Sequence, residues 1–379
     1  MIKIKVKSEC TGCGACRNIC PKSCIAMRAD EEGFLYPTVD ETKCINCELC
    51  DKVCPVKNKP IQNNECIQAY ACKGKDDSVR MSSSSGGIFS IIAENILKKD
   101  GFVCGAAYDE QFNVKHYIVD SVNDLYKLRG SKYVQSDTND VYKQIKQKLI
   151  NNRFVLFSGT PCQTAGLKNF LKKEYDNLLC ISVACHGVPS PMVYNLYLDN
   201  ISNGSRIHNV NFRSKETGWK KYSVIIETEK KNIKNYNYEN PYMRGFINDL
   251  YTRPSCSECQ FKGSDIPGDI LLADFWGIEN VLPDFEDEKG VSAILVKSQK
   301  GKNIIEEISE EILLKECNYT DIIKYNPSII KASKAHQKRN EFFDRVNSRN
   351  FTKLIHKYLP ESKIIWLKRK IKMCFSSIK

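Results

Sequence analysis

Long apolar runs are missing from this chain of 379 residues. Spanning a bilayer takes about 18 consecutive apolar residues, whereas the longest stretches here are short and strand-like, such as LLCISVA at 178–184. The expectation is a soluble protein, at most peripheral to a membrane. The apolar core of a secretory leader is also missing, since MIKIKVKSEC alternates Lys with apolar residues. A reducing cytoplasm is therefore expected, and the 19 Cys do not read as a disulfide framework. Nucleic-acid motifs are absent and basic residues are scattered until the last helix, so the net charge of +12 does not point to DNA or RNA.

What is present is cysteine in a repeated spacing. The run CTGCGACRNICP at 10–21 returns as CINCELCDKVCP at 44–55, giving CxxCxxCxxxCP twice. A [4Fe–4S] cube needs four converging thiolates, and CxxCxxC wraps three of them around it. In two-cluster ferredoxins the fourth Cys of each run ligates the other cluster. The expected ligand sets are therefore Cys10, Cys13, Cys16 and Cys54, and Cys44, Cys47, Cys50 and Cys20. Zinc, which favours two separated CxxC pairs per ion, is the weaker alternative. Cys24 has no place in either set and reads as a small buried apolar residue. Four thiolates on such a core carry about −2, so three clusters would roughly halve the positive excess.

Beyond a polar linker at 56–65, 42% hydrophobic content suffices for a sizeable core and two or three domains. Cys66 and Cys72 sit in the strand-like CIQAYAC, and Cys104 in FVCGAAYD, a strand paired by a short turn to NVKHYIVD. Between them a helix opens at Ser84, Ser85, Gly86 and Gly87 and stops at Gly101. Its start suits a phosphate or an ordinary cap equally. GSKYVQS at 130–136 reads as a surface loop able to grip an anion or a ring.

In RFVLFSGTPCQTAGLKNFL a strand ends at Gly159, and Thr160 and Gln163 form a capping box, placing Cys162 in a first helical turn where the dipole favours a thiolate. Cys185 ends the next strand, so a right-handed β-α-β unit brings both thiols to one sheet edge. Cys256 and Cys259 form a later CxxC, and the economical grouping is a third site of Cys162, Cys185, Cys256 and Cys259, expected to hold another iron–sulfur cluster. A nucleophilic pair of Cys162 or Cys185 with His186 is the rival. Further strands are expected at 269–277 and 291–298, with an amphipathic helix at 300–315. Asp274 and Trp276 at a strand end suit a ligand or the core. The closing KIIWLKRKIKMCFSSIK is a basic helix, read first as packed by one apolar face and second as docking on anionic lipid or a partner. Cys317 and Cys374 show no partners.

In order, SSSGGIF, GSKYVQS, FSGTPCQ, CHGVPSP, CSECQF and DILLADFWG behind two CxxCxxCxxxCP runs resemble the coenzyme F-420 hydrogenase/dehydrogenase beta-subunit family, in the form with an amino-terminal dicluster domain. The resemblance covers residues 10 to about 300. It implies an α+β / α/β multidomain chain: a two-cluster ferredoxin-like module at 1–60, an α/β flavoprotein core with a mixed sheet at 61–150 and 151–325, and a basic helical tail at 326–379. It further implies FAD beside a third [4Fe–4S] cluster, with Ser83, Ser84, Ser85, Gly86, Gly87, Ser131, Lys132, Tyr133 and Gln135 as flavin contacts. No catalytic side chain is nominated. The implied partners are ferredoxin or another redox protein, and deazaflavin or another small redox substrate. Substrate identity stays open, because relatives also reduce chlorophyll-type pigments or accompany polysaccharide synthesis. An electron-relay subunit is the alternative.

Overall fold

A computed structural model describes residues 1–60 and 68–360. Cys66, the end of the linker, Cys374 and the closing basic segment lie outside the described residues. The first module is a β1 (Ile25–Ala29), β2 (Leu35–Val39) antiparallel hairpin beside short helices at Ala15–Ile19 and Leu49–Lys52. Next come β3 (Gln68–Gly74), β4 (Phe102–Tyr108), β5 (Val114–Val119), β6 (Val155–Gly159) and β7 (Leu178–Val183). A three-stranded sheet follows, of β8 (Ile207–Ser214), β9 (Ser223–Thr228) and β10 (Asn232–Tyr236), and then β11 (Ile270–Asp274), β12 (Ser292–Val296) and β13 (Ile312–Cys317). One eight-stranded sheet takes strands from both 61–150 and 151–325, in the order β13-β3-β12-β11-β7-β6-β4-β5.

The four central strands β11, β7, β6 and β4 run parallel, and antiparallel strands flank them on both sides. Parallel strands are buried on both faces and so are apolar without alternation, as in Leu178–Ile181. Leu156, Leu179 and Ile181 face the helix Ile88–Lys98 with its Ile88, Ile92 and Ile96. Val155, Phe157, Leu178 and Cys180 point the other way, toward helices Val141–Ile150 and Pro161–Leu171. Each fully buried side chain of this kind contributes roughly 1.5–3 kcal/mol. Cys72 and Cys104 are core residues, as expected.

The expectation of a helix over 300–315 is corrected. The helix Gln299–Glu307 stops once its apolar stripe, Ile304, Ile305 and Ile308, has been spent on the core. Ile312–Cys317 becomes β13 and pairs with β3 along its whole length. Pairing with a distant strand overrides local periodicity there.

The ferredoxin-like module shares the core instead of hanging from its linker. Cys13, Ala15 and Val53 pack with Tyr142, Phe157, Leu167 and Phe170. Arg17 pairs with Asp137 at 3.0 Å, and Arg339 forks onto Glu32 at 2.7 and 2.5 Å, both ends nearly buried. Removing one partner of such a pair strands the other charge. Arg339→Met is expected to lower stability by about 3–5 kcal/mol, seen as a fall in denaturant midpoint, and adding Glu32→Gln is expected to restore most of it.

Candidate metal and cofactor sites

Two groups of thiols form in the module. Cys20, Cys44, Cys47 and Cys50 line one recess with about 350 Å³ of atom-free space. Cys47 is exposed, so this recess is the outer one. The Ile2 amide donates to Cys50 Sγ at 3.2 Å. Cys24 is buried as expected but also lines the recess, its sulfur 3.3 Å from that of Cys20. In the second group, burial followed by the neighbouring charges of Cys16, Cys54 and Cys10 pushes the Cys13 thiol well above its ordinary range. Cys16 is pushed up to about 12 by burial and then by Cys10 and Cys54. Cys20 thus stands with Cys44, Cys47 and Cys50 around one recess, and Cys54 lies near enough to Cys13 and Cys16 to act on both.

Cys162, Cys185, Cys256 and Cys259 come from three separate segments and line one recess with about 430 Å³ of atom-free space. Cys162 stands in the first turn of Pro161–Leu171 behind the Thr160–Gln163 capping box. Cys185 lies two residues past the end of β7. Cys256 is carried by the short helix Pro254–Ser257. The Val188 amide donates to Cys256 Sγ at 3.4 Å, and Thr160 Oγ1 lies 3.2 Å from Cys162 Sγ. The sequence reasoning missed Lys262, whose ammonium donates to the Cys185 carbonyl at 2.5 Å. Among the described residues no three His, Cys, Asp or Glu close tightly enough for a single ion. The thiols border a space, whereas tetrahedral zinc draws its sulfurs to about 2.3 Å from one point.

At this helix end burial outweighs the dipole and pushes the Cys162 thiol up to about 12, as it does for Cys185 and Cys256. Such thiols are poor free nucleophiles at neutral pH. His186 also lines the recess, but its Nε2 is directed to Asp249 at 2.9 Å and its ring packs edge-on against Phe246. The arrangement therefore argues against the Cys–His pair.

The third recess abuts the module. Thr11, from the first cysteine run, forms part of its wall. One turn along the helix from Cys162, a Cβ on Gly166 would lie 3.0 Å from both Cβ and Sγ of Cys13. Glycine at that position is what lets the loop bearing Cys13 approach this helix so closely. A directional hydrogen-bond chain fixes this helix end from behind. His116 Nε2 donates to the Ser158 carbonyl at 3.1 Å, so Nδ1 accepts from Ser136 at 3.1 Å. Ser136 Oγ accepts from Gln163 Nε2 at 2.9 Å, and Gln163 Oε1 accepts from the Thr160 amide at 3.0 Å.

The two loops expected to hold a flavin meet, although they are 47 residues apart. Ser131 N and Oγ donate to Ser84 Oγ at 2.8 and 2.9 Å. Arg213, unnoticed in the sequence, donates to the Ser84 carbonyl at 3.1 Å and to Asp274 at 2.9 Å, its guanidinium 4.1 Å from the Tyr222 ring centroid. Asp274 also accepts from Trp219, whose ring stacks on Trp276 at 5.0 Å. Arg129 Nε and Arg213 Nε are buried without a hydrogen-bond partner among the described residues. Gly87, at a φ of +87°, begins the helix Ile88–Lys98 with no side-chain cap. Orphaned guanidinium hydrogens and an uncapped helix end suit an anionic group.

Other expected contacts are spent within the protein. Ser83 donates to the Val79 carbonyl, Ser85 to the Val291 carbonyl, and the Gly86 amide to Ser292. Lys132 donates to the carbonyls of Lys127 and Arg129, and Tyr133 packs between Phe212 and Phe246. Gln135 turns away to bond Thr11 and Arg253. The loop read as surface is thus largely buried from Val134 to Ser136.

Gly166→Val is expected to lift Cys13 off the helix, raising hydrogen exchange across 10–20 severalfold while exchange in β7 stays unchanged. Burial lowers the pKa of His116 from 6.5 to about 4. The unfolded chain therefore binds the extra proton first, and stability is lost as pH falls from 6.5 toward 4. His116→Gln is expected to flatten that leg of a plot of denaturant midpoint against pH.

Residues 9–58 match the 4Fe-4S dicluster domain. Residues 69–143 and 152–322 match the amino- and carboxyl-terminal regions of the family described as coenzyme F420 hydrogenase/dehydrogenase, beta subunit. An uncharacterized ferredoxin of Methanocaldococcus jannaschii is 39% identical over 72 residues, 19% of this chain and 84% of its own. An uncharacterized protein of the same organism is 24% identical over 203 residues, 45% of this chain and 55% of its own, so this chain spans about half of it. A chain of the F420-reducing [NiFe] hydrogenase complex of Methanosarcina barkeri is 14% identical with a TM-score of 0.45, covering 81% of this chain and 96% of that one. Among the described residues no helix is long and apolar enough to cross a membrane. With the cysteine runs matching one domain and both halves of the mixed sheet matching the other, the chain belongs to the coenzyme F420 hydrogenase/dehydrogenase beta-subunit family and carries a 4Fe-4S dicluster domain at its front.

Proposed function

We propose that this chain is an iron–sulfur flavoprotein oxidoreductase. It passes electrons between a hydride-type small molecule, such as reduced deazaflavin coenzyme F-420, and a one-electron protein such as ferredoxin. The observation that carries the reading is the convergence of Cys162, Cys185, Cys256 and Cys259 around one recess walled in part by Thr11 of the first cysteine run. These four would hold a third [4Fe–4S] cluster. Cys10, Cys13, Cys16 and Cys54 would hold one cluster of the dicluster domain, and Cys20, Cys44, Cys47 and Cys50 the other.

FAD would be held where Ser84 meets Ser131, by Arg129, Arg213 and the helix end at Gly87. When bound, FAD exchanges a hydride's two electrons and the clusters carry electrons singly. The chain's own part is to orient and to fix charge. Val188 donates a backbone hydrogen to sulfur, Lys262 fixes the Cys185 backbone, and Arg213 supplies a buried cation. A redox partner would meet the module on the side of the exposed Cys47. A reducing cytoplasm, which keeps thiols free for iron, suits this chemistry.

Anaerobically purified protein is expected to hold about twelve irons per chain and to release FAD on denaturation. Cys256→Ser is expected to cut iron to about eight per chain with flavin retained. Mixing with reduced deazaflavin, NADH, NADPH and reduced ferredoxin separately, and following flavin absorbance, identifies the donor. Protein with iron but no releasable flavin would sink the proposal.

A further inference from the structure

Three arginines cross the seam between the module and the body. Two bring their own counter-charge, Arg17 with Asp137 and Arg339 with Glu32. Arg253 does not. It is 1% exposed, and each of its three guanidinium nitrogens donates to a neutral oxygen. Nε reaches the Cys10 carbonyl at 2.7 Å, Nη1 reaches Gln135 Oε1 at 2.8 Å, and Nη2 reaches the Leu35 carbonyl at 2.9 Å. Its face lies over the Tyr36 ring, 4.3 Å from the centroid. No carboxylate pairs with it among the described residues.

The surroundings are shaped for this side chain. Gly12, at a φ of +70°, approaches so closely that a Cβ would lie 2.6 Å from Gln135 Nε2 and 2.9 Å from Arg253 Nη1. The backbone of the same arginine caps the helix of the other site: the Cys256 amide donates to the Arg253 carbonyl at 2.9 Å, and the Arg253 amide donates to Val188 at 3.0 Å. Its side chain therefore grips the Cys10 loop while its main chain holds Cys256. A buried cation is costly unless an anion compensates it, and the anions this position would adjoin are the thiolates that the Cys10 and Cys256 sets become on holding iron. A fixed positive charge there favours the more negative, reduced state of each.

We propose that Arg253 is the positioning and potential-setting residue between the first dicluster site and the third site. It fastens one against the other and raises the reduction potential of both. The inference rests on the three-cluster reading above. The test is an anaerobic redox titration of the whole protein followed by electron paramagnetic resonance, with signals assigned through the Cys256→Ser chain. In Arg253→Met, two of three potentials are expected to fall by about tenfold in the one-electron equilibrium, about 59 mV. The potential of the Cys20, Cys44, Cys47 and Cys50 site is expected to hold. Arg253→Lys, which keeps the charge, is expected to recover most of the shift.

Full iron content with all potentials unmoved in Arg253→Met, or an equal shift in Arg253→Lys, overturns the proposal. Should the Met chain fail to fold, Arg253→Gln is titrated against the same criterion. A wild-type chain with about eight irons would sink the third cluster alone, and the shift at the first site would still decide the role of Arg253.

Discussion

The structure depends on one close approach, that of the helix Pro161–Leu171 to the loop bearing Cys10, Cys13 and Cys16. A glycine at 166 makes the contact possible, since any larger residue would meet Cys13. Everything on either side is arranged to keep it. The module contributes Cys13, Ala15 and Val53 to the same core as Phe157 and Leu167, so separating it would expose apolar surface. The approach is therefore set by packed backbone instead of flexible side chains.

Charge is arranged with equal economy. Burial pushes the thiols of Cys162, Cys185 and Cys256 up to about 12, so iron bound there would have to displace their protons. Cations stand where thiolates would form, Lys262 on the Cys185 carbonyl and Arg253 at the seam. Behind the site, the chain from His116 through Ser136 to Gln163 holds its tautomers only while His116 is neutral, and burial keeps it so.

Much of this was legible in the sequence, because cysteine spacing and strand–helix alternation are local signals. The nearness of Cys20 to the second cysteine run, the capping box at Thr160 and Gln163, and the placing of Cys162 and Cys185 at one recess follow from short-range rules. What escaped was long-range. The helix expected over 300–315 runs into the start of β13 because nothing in Ile312–Cys317 announces β3, more than two hundred residues upstream, as its partner. GSKYVQS was read as surface because its polarity serves buried contacts with Thr11 and Arg253. Arg213 and Arg253 looked like ordinary basic residues, and only the absence or presence of a buried partner distinguishes them.

The salt link between Glu32 and Arg339 joins residues 307 positions apart. At about 5–20 residues per second of synthesis, the module precedes its latch by on the order of 15 to 60 s. The cysteine-rich head is thus made long before its last tie: until Arg339 emerges, the Glu32 carboxylate must keep its water, and only the final helices let it trade that water for a buried partner.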